Sequence, residues 1–170
     1  MQALCRACVA AIDGSVDAAF EIDLARADEA PLIAAYSRDL IEHGLRWRWT
    51  PARIHRAILA KDMNVAVART RGELAGFGIL QYLDDEAHLC LLAVVPARQR
   101  QGIGTALIAW LERTVLDAGI SVMRLEARTC NESARAFYRH LDYREVMIAG
   151  GMYAREEDGV RIAKDLWERG

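Results

Sequence analysis

The stretch that most constrains this chain runs from His88 to Ala127. An apolar run, HLCLLAVV, is followed by a glycine-bearing loop, PARQRQGIG, an amphipathic stretch, TALIAWLERTVLDAGI, and a second strand-like run, SVMRLEA. Leu107, Ile108, Leu111, Val115 and Leu116 recur at helical spacing, so the middle segment reads as a helix ending near Gly119. A strand, helix, strand order brings the second strand back parallel to the first in one sheet, through a right-handed crossover. The nearly continuous apolar character of HLCLLAVV marks it as a central strand covered on both faces.

The remaining segments build an antiparallel series around this crossover. Phe20, Ile22 and Leu24 alternate with Glu21 and Asp23 as in a strand. Asp28 is the expected N-cap of a helix over 29–43 that Gly44 stops, and Thr50 followed by Pro51 caps a second helix reaching about Lys61. NVAVART and LAGFGILQYL form a hairpin about Arg71-Gly72-Glu73, and DDEA turns into the central strand. ESARAFYRHL reads as a short helix, with YREVMIAG and GVRIAKDL as closing strands. The expected fold is α+β: a mixed, mostly antiparallel sheet of about seven strands with about four helices. Residues 1–17 are expected to be a weakly structured extension, and 18–170 a single domain.

Charge and composition exclude several function classes. The 22 basic and 24 acidic side chains nearly balance, so no global field draws in nucleic acid or an anionic membrane. No apolar run reaches the roughly 18 residues a membrane span requires, and a cytoplasmic location is the expectation. Cys5 and Cys8 have the spacing of half a metal or redox pair, but no second pair completes it. With Cys90 and Cys130 they are expected to be reduced, incidental thiols, with no metal bound.

The loop carries the first chemical signal. Two glycines at a helix start leave backbone N–H groups pointing outward at the positive end of the helix dipole, where an anion can approach. A dinucleotide-binding turn uses the same device. Here the third glycine is missing, since Leu107 follows Gly102 and Gly104, and Pro96 to Gln101 separate strand from glycines. No lysine followed by Ser or Thr closes the stretch as an ATP-binding loop would.

VVPARQRQGIGTALI resembles the acetyl-CoA loop of the GNAT superfamily of N-acetyltransferases, with Gln99, Gly102 and Gly104 at the motif positions. The resemblance implies that Arg100, Gln101, Gly102, Ile103, Gly104 and Thr105 hold the pyrophosphate of acetyl-CoA, and that Arg98 or Arg100 pairs with its further phosphate. It also implies that the two parallel strands splay apart. Leu92, Ala93 and Val94 would then offer backbone groups to the pantetheine arm, with the Val94 N–H polarising the thioester carbonyl.

RLEARTCNESARAFYRHLDY carries the second signal. Residue by residue, Glu126 reads equally as a solvated strand-end acid, Asn131 as a helix N-cap and Tyr138 as a core aromatic beside Phe137. Together they resemble the ribosomal-protein alanine N-acetyltransferase branch of the superfamily, as does the Asp85-Glu86-Ala87 opening of the central strand. That resemblance implies Glu126 as general base, Asn131 as an acetyl-CoA contact and Tyr138 as general acid. Asp142 replaces a glycine of that branch, at a turn where aspartate tolerates a left-handed backbone.

The expected function is transfer of an acetyl group from acetyl-CoA to a primary amine by direct attack, with a protein N-terminal α-amine as acceptor. A small amine acceptor and a non-catalytic acyl-CoA-binding module remain open. Trp47 and Trp49 either line the acceptor groove or anchor packing. His88, Asp84, Asp85 and Glu86 stand at the start of the central strand, and a lone strand histidine is set behind Glu126 as a base.

Overall fold

The computed structural model describes residues 20–153 and 157–167. Its strands are β1 Phe20–Leu24, β2 Met63–Thr70, β3 Glu73–Tyr82, β4 Ala87–Val94, β5 Val122–Arg128, β6 Arg144–Tyr153 and β7 Glu157–Asp165. The helices are α1 Ala30–Leu40, α2 Pro51–Leu59, α3 Ile103–Asp117 and α4 Glu132–His140. The seven strands form one sheet in the order β1-β2-β3-β4-β5-β7-β6, and only β4 and β5 run parallel. This is the expected α+β architecture, with the crossover through α3. The N-terminal extension, with Cys5 and Cys8, lies outside the described residues.

Alternation along the strands sorts the core onto two faces. Val65 and Val67 of β2 join Ile33, Trp49, Ile54, Phe77 and Leu91 beneath α1 and α2. Ala66 and Ala68 join Leu107, Leu111, Met123, Leu125, Tyr138 and Tyr143 on the α3 face. Tyr143 ties α3 to the sheet: its hydroxyl donates to Glu112 Oε1 at 3.0 Å, and Lys164 of β7 reaches the same oxygen at 2.9 Å.

A bulge interrupts the alternation in β4. Leu80 pairs with Leu89 and Ile79 with Leu91, so Cys90 is an extra residue on the β4 side. Cys90 and Leu91 therefore both turn toward α1 and α2, and Leu92 and Val94 turn toward α3.

Several element ends depart from expectation for local reasons. Asp28 does not cap α1; it lies in a short 3-10 turn, Ala27–Glu29. The Glu29 carboxylate accepts the Arg26 N–H at 2.7 Å and meets Arg69 Nη2 at 2.6 Å, so the chain reverses on Glu29 and α1 begins at Ala30. Its far end comes at Leu40, before Gly44. The Glu42 carboxylate there gathers Ser37 Oγ at 2.9 Å, Arg48 N–H at 2.7 Å and Trp49 N–H at 3.2 Å, drawing the α1–α2 loop back onto the helix. Thr50 caps α2 as expected, its Oγ1 accepting from Arg53 N–H, and α2 stops at Leu59 because Ala60 is extended. Arg71 and Gly72 both take positive φ in the β2–β3 turn, and Asp142 adopts the left-handed backbone anticipated for it, with φ 66°.

Candidate active site

The parallel pair is short. Only Ala87, His88 and Leu89 of β4 pair with Met123, Arg124 and Leu125 of β5. Beyond that point β4 continues on β3 alone and β5 on β7 alone, so the strands part from Cys90 and Glu126 onward. Val95 N–H donates to the Ala75 carbonyl at 2.9 Å. Antiparallel alternation then directs the backbone of Ala93 to β3 and that of Leu92 and Val94 into the gap. Ala93, expected beside them as a backbone contact, thus faces the other way. Gln99 Nε2 donates to the Val94 carbonyl at 3.1 Å, which fixes the loop to the strand and leaves the Val94 N–H toward the gap.

The glycine loop takes an anion-receptive shape. Arg100 and Gly102 adopt positive φ, 63° and 79°, before α3 begins at Ile103. Among the described residues, the N–H groups of Arg100, Gln101, Gly102, Ile103, Gly104 and Thr105 donate to no acceptor. Six amides around the head of a helix fit a pyrophosphate by charge and by direction. A Cβ placed on Gly104 would lie 3.4 Å from Phe137 and 3.6 Å from Val94, so this loop, the end of β4 and α4 meet at one corner of the gap.

Glu126 sits inside β5, two residues before its end, where the strands diverge. Its neighbours Leu125 and Ala127 point to the α3 face, so Glu126 points to the α1/α2 face, alongside His88. His88 Nε2 lies 2.6 Å from Glu126 Oε2, and the Cys90 sulfur lies 3.8 Å from His88 Nδ1. Arg161, directly opposite Glu126 on β7, brings its Nε to 3.8 Å from Oε1. The hydrogen bond from His88, joined by the charges of His88, Arg124 and Arg161, outweighs burial and holds the Glu126 carboxyl below its usual range. Hydrogen bonds to Cys90 and Glu126 raise the His88 imidazole to about 9. At neutral pH the pair is an imidazolium and a carboxylate.

On the other face, α4 carries the remaining candidates. Asn131 caps the helix, its Oδ1 accepting the Ala134 N–H at 3.1 Å, so its side-chain oxygen serves the backbone and its amide N–H groups remain as donors. Tyr138 is buried in the α3 core, with its ring edge-on to Phe137 and Tyr143 at centroid distances of 5.2 and 5.7 Å. Glu126 and Tyr138 therefore lie on opposite faces of the sheet.

A cleft of about 450 Å³ opens on the Glu126 face, lined by Trp49, Arg53, Arg56, Met63, Gln81 and Cys90. Trp49 both packs and lines it, being only 8% exposed. Trp47 lies under the Arg38 guanidinium at 5.5 Å. Among the described residues, no group of three or more His, Cys, Asp or Glu is placed to hold a metal ion, and no helix is long and apolar enough to cross a membrane.

The profile of the acetyltransferase (GNAT) family matches residues 23–143, well over half of the chain. The chain belongs to the GNAT family. The [ribosomal protein bS18]-alanine N-acetyltransferase of Escherichia coli K12 is 39% identical to it over 95 residues, which cover 54% of this chain. Those residues span 64% of the relative's length. The crystal structure of the E. coli ribosomal-protein-S18-alanine N-acetyltransferase superposes with a TM-score of 0.71 at 27% identity, covering 89% of this chain and 96% of that one. Ard1 from Thermoplasma volcanium shares the fold, with a TM-score of 0.77 at 21% identity, covering 88% of this chain and 99% of that one.

Within this GNAT domain, four residues owe their place at the site to geometry that the sequence does not display. His88 reads from the sequence as a base behind Glu126, and its contact with Glu126 depends on the β4–β5 register. Arg161 required the β5–β7 register, and Cys90 required the bulge. Glu42 left no motif, because its partners are two backbone amides and a hydroxyl.

Proposed function

We propose that this GNAT domain transfers an acetyl group from acetyl-CoA to a primary amine by direct attack, and that the acceptor is a protein N-terminal α-amine. The observation that carries the reading is the parting of β4 and β5 at Glu126, with the unpaired amides of the 100–105 loop at the same end of β4. The amide-rich loop stands on the Tyr138 face, and the open cleft on the Glu126 face.

In this reading the loop from Arg100 to Thr105 holds the pyrophosphate, and Leu92 and Val94 bind the pantetheine arm as an added strand would. Asn131 offers its amide N–H groups to the same ligand. The amine enters from the cleft. An ammonium must lose a proton before it attacks a thioester, and Glu126, through a water, accepts it while His88 holds the carboxylate in place. An α-amine, with an ordinary pKa of about 7.7–8.0, yields that proton more readily than a lysine near 10.4. The Val94 N–H stabilises charge developing on the carbonyl oxygen, and Tyr138 returns a proton to the departing sulfur. No covalent enzyme intermediate is needed.

The test is an acceptor screen with purified protein and acetyl-CoA, following free thiol and product mass for peptides with small N-terminal residues beside polyamines and amino sugars. Acetylated peptide N-termini with matching thiol release are the expected result. Acetyl-CoA binding without thiol release for any amine would make the domain a binding module.

A further inference from the structure

The cleft on the Glu126 face has an uneven charge. Its charged lining residues are Arg53 and Arg56, and no carboxylate lines it. Several arginines elsewhere in the fold are matched: Arg69 with Glu29 at 2.6 Å, Arg135 with Glu145 at 2.8 Å, Arg161 with Glu126 at 3.8 Å, and Arg124 with Glu86. Among the described residues, neither Arg53 nor Arg56 meets a carboxylate. General basicity does not account for this, since acids outnumber bases along the chain, yet from Arg46 to Ala60 there are four arginines and no acid.

Arg53 is also pre-set to receive a ligand. Its guanidinium lies 4.1 Å over the ring of Trp49, and Trp49 is held in turn through its N–H on the buried Glu42 carboxylate. A stacked guanidinium loses little further freedom on binding, and it keeps an in-plane edge of N–H groups for bidentate contact with a carboxylate. The phosphates of coenzyme A are not the anion that fits here. The cleft is built from α2, β2, β3 and the bulge of β4 beneath the α1/α2 core, and the amide-rich loop lies on the α3 side.

We infer that the acceptor carries carboxylates just beyond its amine: a peptide N-terminus with Asp or Glu at its second and third positions, bound by Arg53 and Arg56 while the amine reaches Glu126 past Cys90. This rests on the reading of the domain as an amine acetyltransferase. It names the class of acceptor within that reading, one of opposite charge to a basic peptide.

The experiment compares three peptides that share an N-terminal alanine and carry Asp-Glu, Ser-Ser or Arg-Arg at the next two positions, with free glutamate as a fourth acceptor. Each is tested for turnover and for binding by quenching of tryptophan fluorescence. The acidic peptide should show a KM about tenfold below the neutral one, the size expected for a charge-assisted contact. The basic peptide should be poorest, and added salt should narrow the spread. Arg53→Gln with Arg56→Gln should erase the preference without changing the KM for acetyl-CoA. Arg53→Lys, which keeps the charge and loses the planar fork, should retain part of it. Equal KM values for the three peptides, or a preference that survives in the double variant, would overturn the inference, and preferential acetylation of glutamate would overturn the peptide assignment. Arginine-dependent binding of the acidic peptide without turnover would support the anion site and count against acetyl transfer.

Discussion

His88 Nε2 and Glu126 Oε2 stand 2.6 Å apart at the point where the two parallel strands separate. The pair closes the bottom of the gap and links it, through Cys90, to the cleft on the α2 side. A candidate base is thus set in a charged hydrogen bond, and its strength depends on the protonation of its partner.

The pair has a defined pH signature in stability. The imidazole rises from an ordinary 6.5 to about 9, so its contribution is complete below 6.5 and is lost as pH climbs through about 9. The carboxyl is held below its ordinary 4.5, so its share is present above 4.5 and is lost as pH falls below that value. Thermal melts should show Tm falling across the alkaline window in the wild type, and a flatter profile there for His88→Gln. Parallel profiles for the two proteins would remove the pair from the account.

Glu42 anchors the loop that presents Trp49. Glu42→Gln retains one acceptor oxygen but sets an N–H₂ group against donors, so unfolding in urea should show a loss of about 1–3 kcal/mol. Tryptophan emission should shift with it, and acceptor KM should rise more than acetyl-CoA KM. Unchanged stability and emission would contradict the anchoring role.

Gly102 enters α3 at φ 79°, a conformation that an L side chain adopts only with strain. Gly102→Ala should cost about 1–2 kcal/mol of strain at that position and misdirect the amides around it. The measurement is acetyl-CoA affinity by calorimetry, expected to weaken while acceptor binding holds.

Tyr138 is packed edge-on between Phe137 and Tyr143, contacts that phenylalanine preserves. Tyr138→Phe keeps these ring contacts and should reduce kcat by about 10²-fold, the scale of a lost general acid. A normal kcat would return Tyr138 to a purely structural role.

What the sequence made legible was local. The periodicities of the crossover's strands and helix, the glycine loop, the Thr50 cap and the Asp142 turn each depend on residues a few positions apart, and each stands where it was expected. The roles of Glu126 and Tyr138 rest on resemblance, but the placement of Glu126 away from the α3 face follows from alternation about Leu125 and Ala127. Register was not legible. His88 and Glu126 are 38 residues apart along the chain, and the single extra residue at Cys90 decides which β4 side chains face the cleft. Element ends misled for a similar reason: Asp28 has the right chemistry for a cap, but the chain turns on the longer-range pair of Glu29 with Arg69.

The central claim is that Glu126 accepts the amine proton at the parting of β4 and β5. The most direct measurement is single-turnover acetyl transfer by Glu126→Gln beside the wild type, with acetyl-CoA affinity determined for both. The account predicts a transfer rate lower by about 10²-fold or more with acetyl-CoA affinity unchanged. Transfer at the wild-type rate would contradict it.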